Sequence, residues 1–192
     1  MFNFKTCRHP QCRTYVCYDG VYCFRHSPNQ EYVHQQCIEK ISSSEDVVDF
    51  SITHSEFENL KLPKQAIIGS NMAWCTFRNI DFSNLTLHNS FFDFCLFEQC
   101  TFNAIVSRYS VFSGSKMIDC DFSHSTIIHT NFCGVDTYRC NFNDSDLYFS
   151  TFNSSFLRDT TFEDCNLKKA DFTFTEQRRV SFRYSNYEEA RH

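Results

Sequence analysis

Residues 120–149 read CDFSH STIIH TNFCG VDTYR CNFND SDLYF when broken into fives. The third residue of each unit is Phe122, Ile127, Phe132, Thr137, Phe142 or Leu147. The same register extends in both directions, from Ile52 to Tyr187. Twenty-five of its 28 places are apolar, with Ser107, Thr137 and Gln177 the exceptions, where a bulk hydrophobic content of 42% predicts about 12. Fourteen of the 23 phenylalanines fall on it. A period of five suits neither an α-helix nor a flat strand. It requires a chain that turns a corner every five residues and sends one large side chain inward each time.

Two residues before each centre the side chain is small. Twenty of the 28 such places hold Ser, Thr, Cys or Ala, among them Cys75, Cys95, Cys100, Cys120, Cys140 and Cys165. One large and one small inward residue per side fill a narrow column without overpacking. These six cysteines are therefore expected to be buried thiols serving as small apolar residues. Cys133, one residue past a centre, is expected nearer the surface. The remaining three places per unit are mostly polar and face water. Gly69, Gly114 and Gly134 all fall two residues after a centre, where the turn favours a positive φ.

Units such as Ile80-Asp81-Phe82-Ser83-Asn84, Cys140-Asn141-Phe142-Asn143-Asp144 and Ala170-Asp171-Phe172-Thr173-Phe174 resemble the pentapeptide-repeat family. The resemblance covers about three quarters of the chain. It implies an all-β fold, a right-handed quadrilateral β-helix with four repeats per coil. Twenty-eight repeats then give about seven coils, a rod roughly 30–35 Å long at ~4.8 Å per coil. The polar centres and the Pro63–Gln65 stretch imply an irregular first coil and a last coil that acts as a cap.

The first 45 residues break the rule. Their cysteines are spaced Cys7-x4-Cys12-x4-Cys17-x5-Cys23-x2-His26. Two close pairs of soft ligands separated by a loop suit tetrahedral zinc. Cys7/Cys12 and Cys23/His26 make the best pairs, with Asp19-Gly20 a turn signal between them. The stretch ending Gly20-Val21-Tyr22-Cys23-Phe24-Arg25-His26 resembles small Cys3His zinc modules. Cys17 is an alternate ligand, and His9, His34 and Cys37 are further candidates. Four protein ligands leave no open position, so the zinc is expected to be structural. Ser27-Pro28 reads as a helix start, and Val33, Cys37 and Ile41 form one face. That helix is expected to cover the open end of the first coil and to receive Trp74 and Phe94. The expected divisions are a zinc module at 1–28, a capping helix and linker at 29–45, the β-helix at 46–187 and a tail at 188–192.

No long apolar run opens the chain, so neither a signal peptide nor a membrane span is expected and the location reads as cytoplasmic. There is no phosphate-binding glycine loop, nucleophile elbow or HExxH helix, so a non-enzyme is expected. With four units per coil, residues 20 apart stack. Tyr109, Ile128, His129, Tyr148 and Phe149 then gather on one face as a partner-binding patch for an unidentified protein. The alternative function implied by the resemblance is DNA mimicry toward a type II topoisomerase such as gyrase, which needs an acidic stripe. Residues 50–192 hold 17 acidic and 13 basic residues, mixed over several faces. A third alternative, nucleic-acid binding by the zinc module, rests on Arg8, Arg13 and Arg25 alone and is disfavoured. Flat faces and a short C-terminal end are compatible with a homodimer.

Overall fold

The computed structural model describes residues 5–17 and 20–192. Asp19, half of the expected turn signal, lies outside the described residues. The 3₁₀ turn Phe24–His26 and helix α1, Gln30–Ser42, precede a parallel-strand β-solenoid of about seven coils.

Each coil has four sides, here named A to D by their central residues: Phe112, Met117, Phe122 and Ile127 lie on A, B, C and D of one coil. Side B carries a seven-stranded parallel sheet running from Glu56–Glu58 to Glu176–Arg178. Side D carries a five-stranded sheet from Val47–Val48 to Thr126–Ile128. Sides A and C are joined by single bridges, such as Asn131↔Thr151 and Asp121↔Asn141. Every pairing within the rod joins residues 20 apart, because four units of five close one coil.

The corners explain the period. The residue two past each centre has a positive φ from Asp49 to Tyr184, interrupted only at Lys64 in the irregular first coil. Asn, Asp and His accept this conformation better than most residues, yet Trp74 (φ 62°) and Phe94 (φ 55°) adopt it too. The corner N–H is not left unpaired: that of Trp74 donates to the carbonyl of Asp93, 2.9 Å away on the next coil. Pairing between coils offsets the local strain.

Inside, the phenylalanines stack coil on coil. Phe122 lies 4.3 Å from Phe102 and 4.7 Å from Phe142, stacked nearly parallel to both, and meets Phe132 edge-on at 5.9 Å. The small register does more than save space. The Ser125 hydroxyl donates to the carbonyl of Phe102 (3.0 Å) and accepts from the N–H of Ile105 (3.1 Å). Cysteines make the longer thiol version, as Cys140 does toward the carbonyl of Met117. Burial pushes the Cys75 thiol up to about 12, so it stays protonated and unreactive. The polar centres are satisfied as well. Ser107 and Thr137 are fully buried, and their hydroxyls meet those of Thr130 and Thr160 at 3.0 and 2.9 Å. Gln177 is exposed, where the last coil opens toward the 3₁₀ turn Tyr187–Glu189.

Helix α1 starts at Asn29, whose side chain caps the N–H of Tyr32. It buries Cys37 and Ile41 against the first coil. Gln65 Nε2 donates to the Ile41 carbonyl at 2.6 Å, and His34 Nε2 donates to the Glu56 carbonyl at 2.6 Å. The expectation that α1 also receives Trp74 and Phe94 is wrong. Both remain about half exposed, at 53% and 51%. The helix lies across the end of the rod, whereas these two side chains project from the corner between sides A and B.

Ion pairs line the corner between B and C. Arg139 clasps Asp119 through two bonds of 2.5 and 2.6 Å, and Arg179 clasps Asp159 in the same way. These guanidinium groups hold both carboxyls below the usual carboxylate range. Their stabilisation is therefore present above the ordinary carboxylate pKa and lost as the pH falls through the lowered values. Thermal denaturation of the rod is expected to be level from pH 7 to about 5 and to drop only below about pH 4. Asp119→Asn should flatten part of that drop; a fall complete by pH 6 would assign it to other groups.

Candidate metal centre and contact face

The segment from Lys5 to His26 folds around its soft ligands. Thr6 and Tyr15 form an antiparallel bridge, supported by Cys7 N–H to Thr14 O and Val16 N–H to Lys5 O, both 2.8 Å. A tight turn then returns Cys12 N–H to the His9 carbonyl, and the His9 N–H points at Cys7 Sγ (3.5 Å). The second pair sits on the Phe24–His26 turn, where His26 N–H bonds to the Cys23 carbonyl. Gly20 is needed nearby, because a Cβ there would lie 2.9 Å from the Cys17 carbonyl oxygen.

These turns bring one ligand atom each from Cys7, Cys12, Cys23 and His26 within 4.8 Å of one another. Cys12 and Cys23 sulfurs are 3.9 Å apart, and His26 Nδ1 lies 3.6 Å from Cys7 Sγ and 3.3 Å from Cys23 Sγ. A tetrahedron with Zn–S of ~2.3 Å and Zn–N of ~2.0 Å has S···S edges of about 3.8 Å and S···N edges of about 3.5 Å. The donor set therefore fits zinc in both chemistry and spacing. The His9 ring stacks on His26 at 3.9 Å and fixes its plane. Burial pushes the Cys23 thiol up to about 11, while the Thr14 backbone holds Cys12 below the ordinary thiol range.

Cys17, considered as an alternate ligand, stands outside this group. Its chain is held by an N–H bond to the Tyr22 carbonyl, and its sulfur is buried 3.8 Å from Cys37 Sγ of α1. Sequence spacing alone cannot separate these roles, since Cys17 sits between the two ligand pairs. His34 is likewise committed to the rod.

The five residues of the expected contact patch do converge. Tyr109, His129 and Phe149 form a ladder at the corner between D and A, with stacked centroids 5.2 and 4.9 Å apart. Tyr109 is 53% and Phe149 44% exposed. Ile128 and Tyr148 lie half-buried beside the ladder on side D. Lys169, which sequence inspection missed, places Nζ 5.0 Å from the Phe149 ring and 5.7 Å from Tyr148. Its position 20 residues past Phe149 is the signal that could have found it. Elsewhere Arg78 meets Glu56, Glu58 and Glu98, and Arg158 meets Asp136. Together with the clasped aspartates, these pairs interrupt any acidic stripe along side B.

This geometry defines a class, the parallel β-solenoid built from five-residue repeats. The sequence model of the family described as Pentapeptide repeats matches residues 139–175 in eight copies. No curated protein matches the chain in sequence. Among solved structures, a trypsin-treated variant of QnrB1, described as a plasmid-mediated fluoroquinolone resistance protein, is 15% identical, with 76% of this chain and 91% of that chain covered and a TM-score of 0.45. HetL, involved in heterocyst differentiation regulation in the cyanobacterium Nostoc sp. strain PCC 7120, is 8% identical, with 83% and 92% covered and a TM-score of 0.41. Rfr23, from the cyanobacterium Cyanothece 51142, is 9% identical, with 69% and 90% covered and a TM-score of 0.38. Likeness at this level carries no information on function. Among the described residues no helix is long and apolar enough to cross a membrane.

Proposed function

We propose that the chain is a non-enzymatic protein–protein interaction scaffold, a rigid β-helical rod closed at its N-terminal end by a structural zinc ion on Cys7, Cys12, Cys23 and His26. The zinc module takes residues 1–28, the capping helix and linker 29–45, the rod 46–187 and the tail 188–192. Zinc bound there contributes folding free energy and no reaction. All described cysteines are free thiols, which suits a cytoplasmic setting.

The observation that carries the functional half is the Tyr109–His129–Phe149 ladder with Ile128 and Tyr148 beside it. Contiguous exposed aromatics on a rigid support offer large contact area at little entropic cost. DNA mimicry toward a topoisomerase is not favoured, because arginines neutralise the acidic columns of side B. Nucleic-acid binding by the module remains disfavoured for want of cations.

Affinity capture from native lysate tests the patch. Tyr148→Ala together with Phe149→Ala is expected to abolish partner capture and leave the circular dichroism spectrum unchanged. Full capture by the double variant would overturn the assignment of this patch.

A further inference from the structure

A cation stands at each end of the aromatic ladder. Arg108, exposed on side D, precedes Tyr109 in the chain, and Lys169 follows Phe149 one coil further along the same corner. Lys169 Nζ rests 5.0 Å from the Phe149 ring and donates to the Tyr148 hydroxyl at 3.5 Å. Among the described residues no carboxylate pairs with either cation, and the nearby carboxylates are engaged elsewhere. Glu189 meets Lys168 at 3.1 Å, and Asp171 meets Arg191 at 3.8 Å. Asp146, on the far edge of side D, accepts from the Tyr148 N–H and from Asn166 Nδ2. Beside Phe149 lies an open cleft of about 460 Å³, bounded also by Lys169, Asp171, Glu189 and Arg191. With those two ion pairs formed, Lys169 is the cation of this cleft left without a counter-charge.

We propose that the partner of this face is an extended acidic segment in which two carboxylates bracket an apolar side chain. The proposal rests on the reading of the Tyr109–Phe149 ladder as a contact surface, and it gives the chemistry of what that surface contacts. Two to three coils separate Arg108 from the Lys169 ammonium, roughly 10–14 Å at ~4.8 Å per coil. In an extended chain, residues four apart point the same way and lie ~13 Å from one another. A Glu-x-apolar-x-Glu segment, or its Asp equivalent, therefore sets one carboxylate on each cation. Its middle side chain falls on His129 and Ile128. A basic segment would face two like charges there, which selects against it.

The shape of the face favours an extended occupant. The ladder stands on a corner, so the surface is convex. A helix laid along it would meet ridge on ridge and bury little. An extended chain follows the step between the exposed rings and the half-buried Ile128 and Tyr148. Nucleic acid fits less well, because two cations contact few phosphates. The contact is small, which sets the expected affinity in the micromolar range or weaker.

Selection of phage-displayed random dodecapeptides on the full chain tests the proposal. The enriched sequences are expected to carry acidic residues four apart around an apolar one. Fluorescence anisotropy of a selected peptide should then show about tenfold or greater weakening with Arg108→Glu and with Lys169→Asp, since each reversal sets like charges opposite one another. Aspartate already occupies several corners of the rod, among them Asp119 and Asp144, so the backbone accepts it at Lys169. The same peptide with both acids changed to lysine should prefer the Arg108→Glu/Lys169→Asp double variant to the parent chain. Failure to enrich any peptide overturns the proposal. So does enrichment without acidic residues, or an acidic peptide that binds both single variants as tightly as the parent. Non-acidic peptides released by Tyr148→Ala with Phe149→Ala would sink the charge rule alone. Acidic peptides held through Arg108 and Lys169 but indifferent to that double alanine variant would sink the aromatic patch alone.

Discussion

Phe122→Ala is expected to destabilise the rod by ~3–5 kcal/mol, the cost usual for a large aromatic removed from a close-packed interior. The side chain is fully buried, stacks on the rings above and below it on side C, and meets the edges of Phe112 and Phe132 from the facing side A. Collapse into the gap is blocked, because each neighbouring ring hangs from a coil fixed by backbone bonds such as Phe122 N–H to Asn141 O at 2.6 Å. The cavity therefore persists and its lining loses contacts outright. Phe174, a phenylalanine at a corner and 86% exposed, is the control. Its alanine variant should stay within about 0.5 kcal/mol of the parent. Denaturant titration followed by circular dichroism measures both. A loss under 1 kcal/mol at Phe122 would mean that the five-residue register does not define the core.

Metal removal should have the second large effect, confined to one end. Among the described residues from Lys5 to His26, the buried apolar ones are Cys7, Val16, Cys17 and Cys23, three of them cysteines. So little aliphatic surface cannot offset the chain entropy of ordering the segment. A chelator is expected to raise amide exchange there by about a hundredfold or more, the signature of local rather than global opening. The N–H groups of Cys7, Cys12, Val16 and His26 report it directly. Amides from Met72 to Phe172 should keep their protection, because in a solenoid each coil is held by its neighbours. Unchanged exchange in the module after the metal has left would show that the thiols fold it unaided.

What the sequence made legible follows from periodicity. A spacing of five with large and small residues in fixed places has one packing solution, and the i/i+20 stacking of surface residues follows from it. That is why the ladder of Tyr109, His129 and Phe149 could be drawn before any coordinates. Three features were not legible. The serines and threonines of the small register were understood as filler, although Ser125 and Ser150 also satisfy backbone carbonyls inside the rod. Thr137 looked like a break in the core, whereas Thr160 on the next coil completes its hydrogen bond. Trp74 and Phe94 were assigned to α1 because they lie near the N-terminal end. Sequence gives the column a residue occupies but not the side over which a helix returns. The pairing of Cys17 with Cys37 was hidden for the same reason, since it depends on where the helix docks.

The most direct measurement is zinc K-edge absorption on the full chain purified without added metal. One zinc per chain is predicted, with three sulfurs at ~2.3 Å and one nitrogen at ~2.0 Å. A chain without metal, or a shell of four sulfurs that brings Cys17 in for His26, would contradict the proposed closure of the rod.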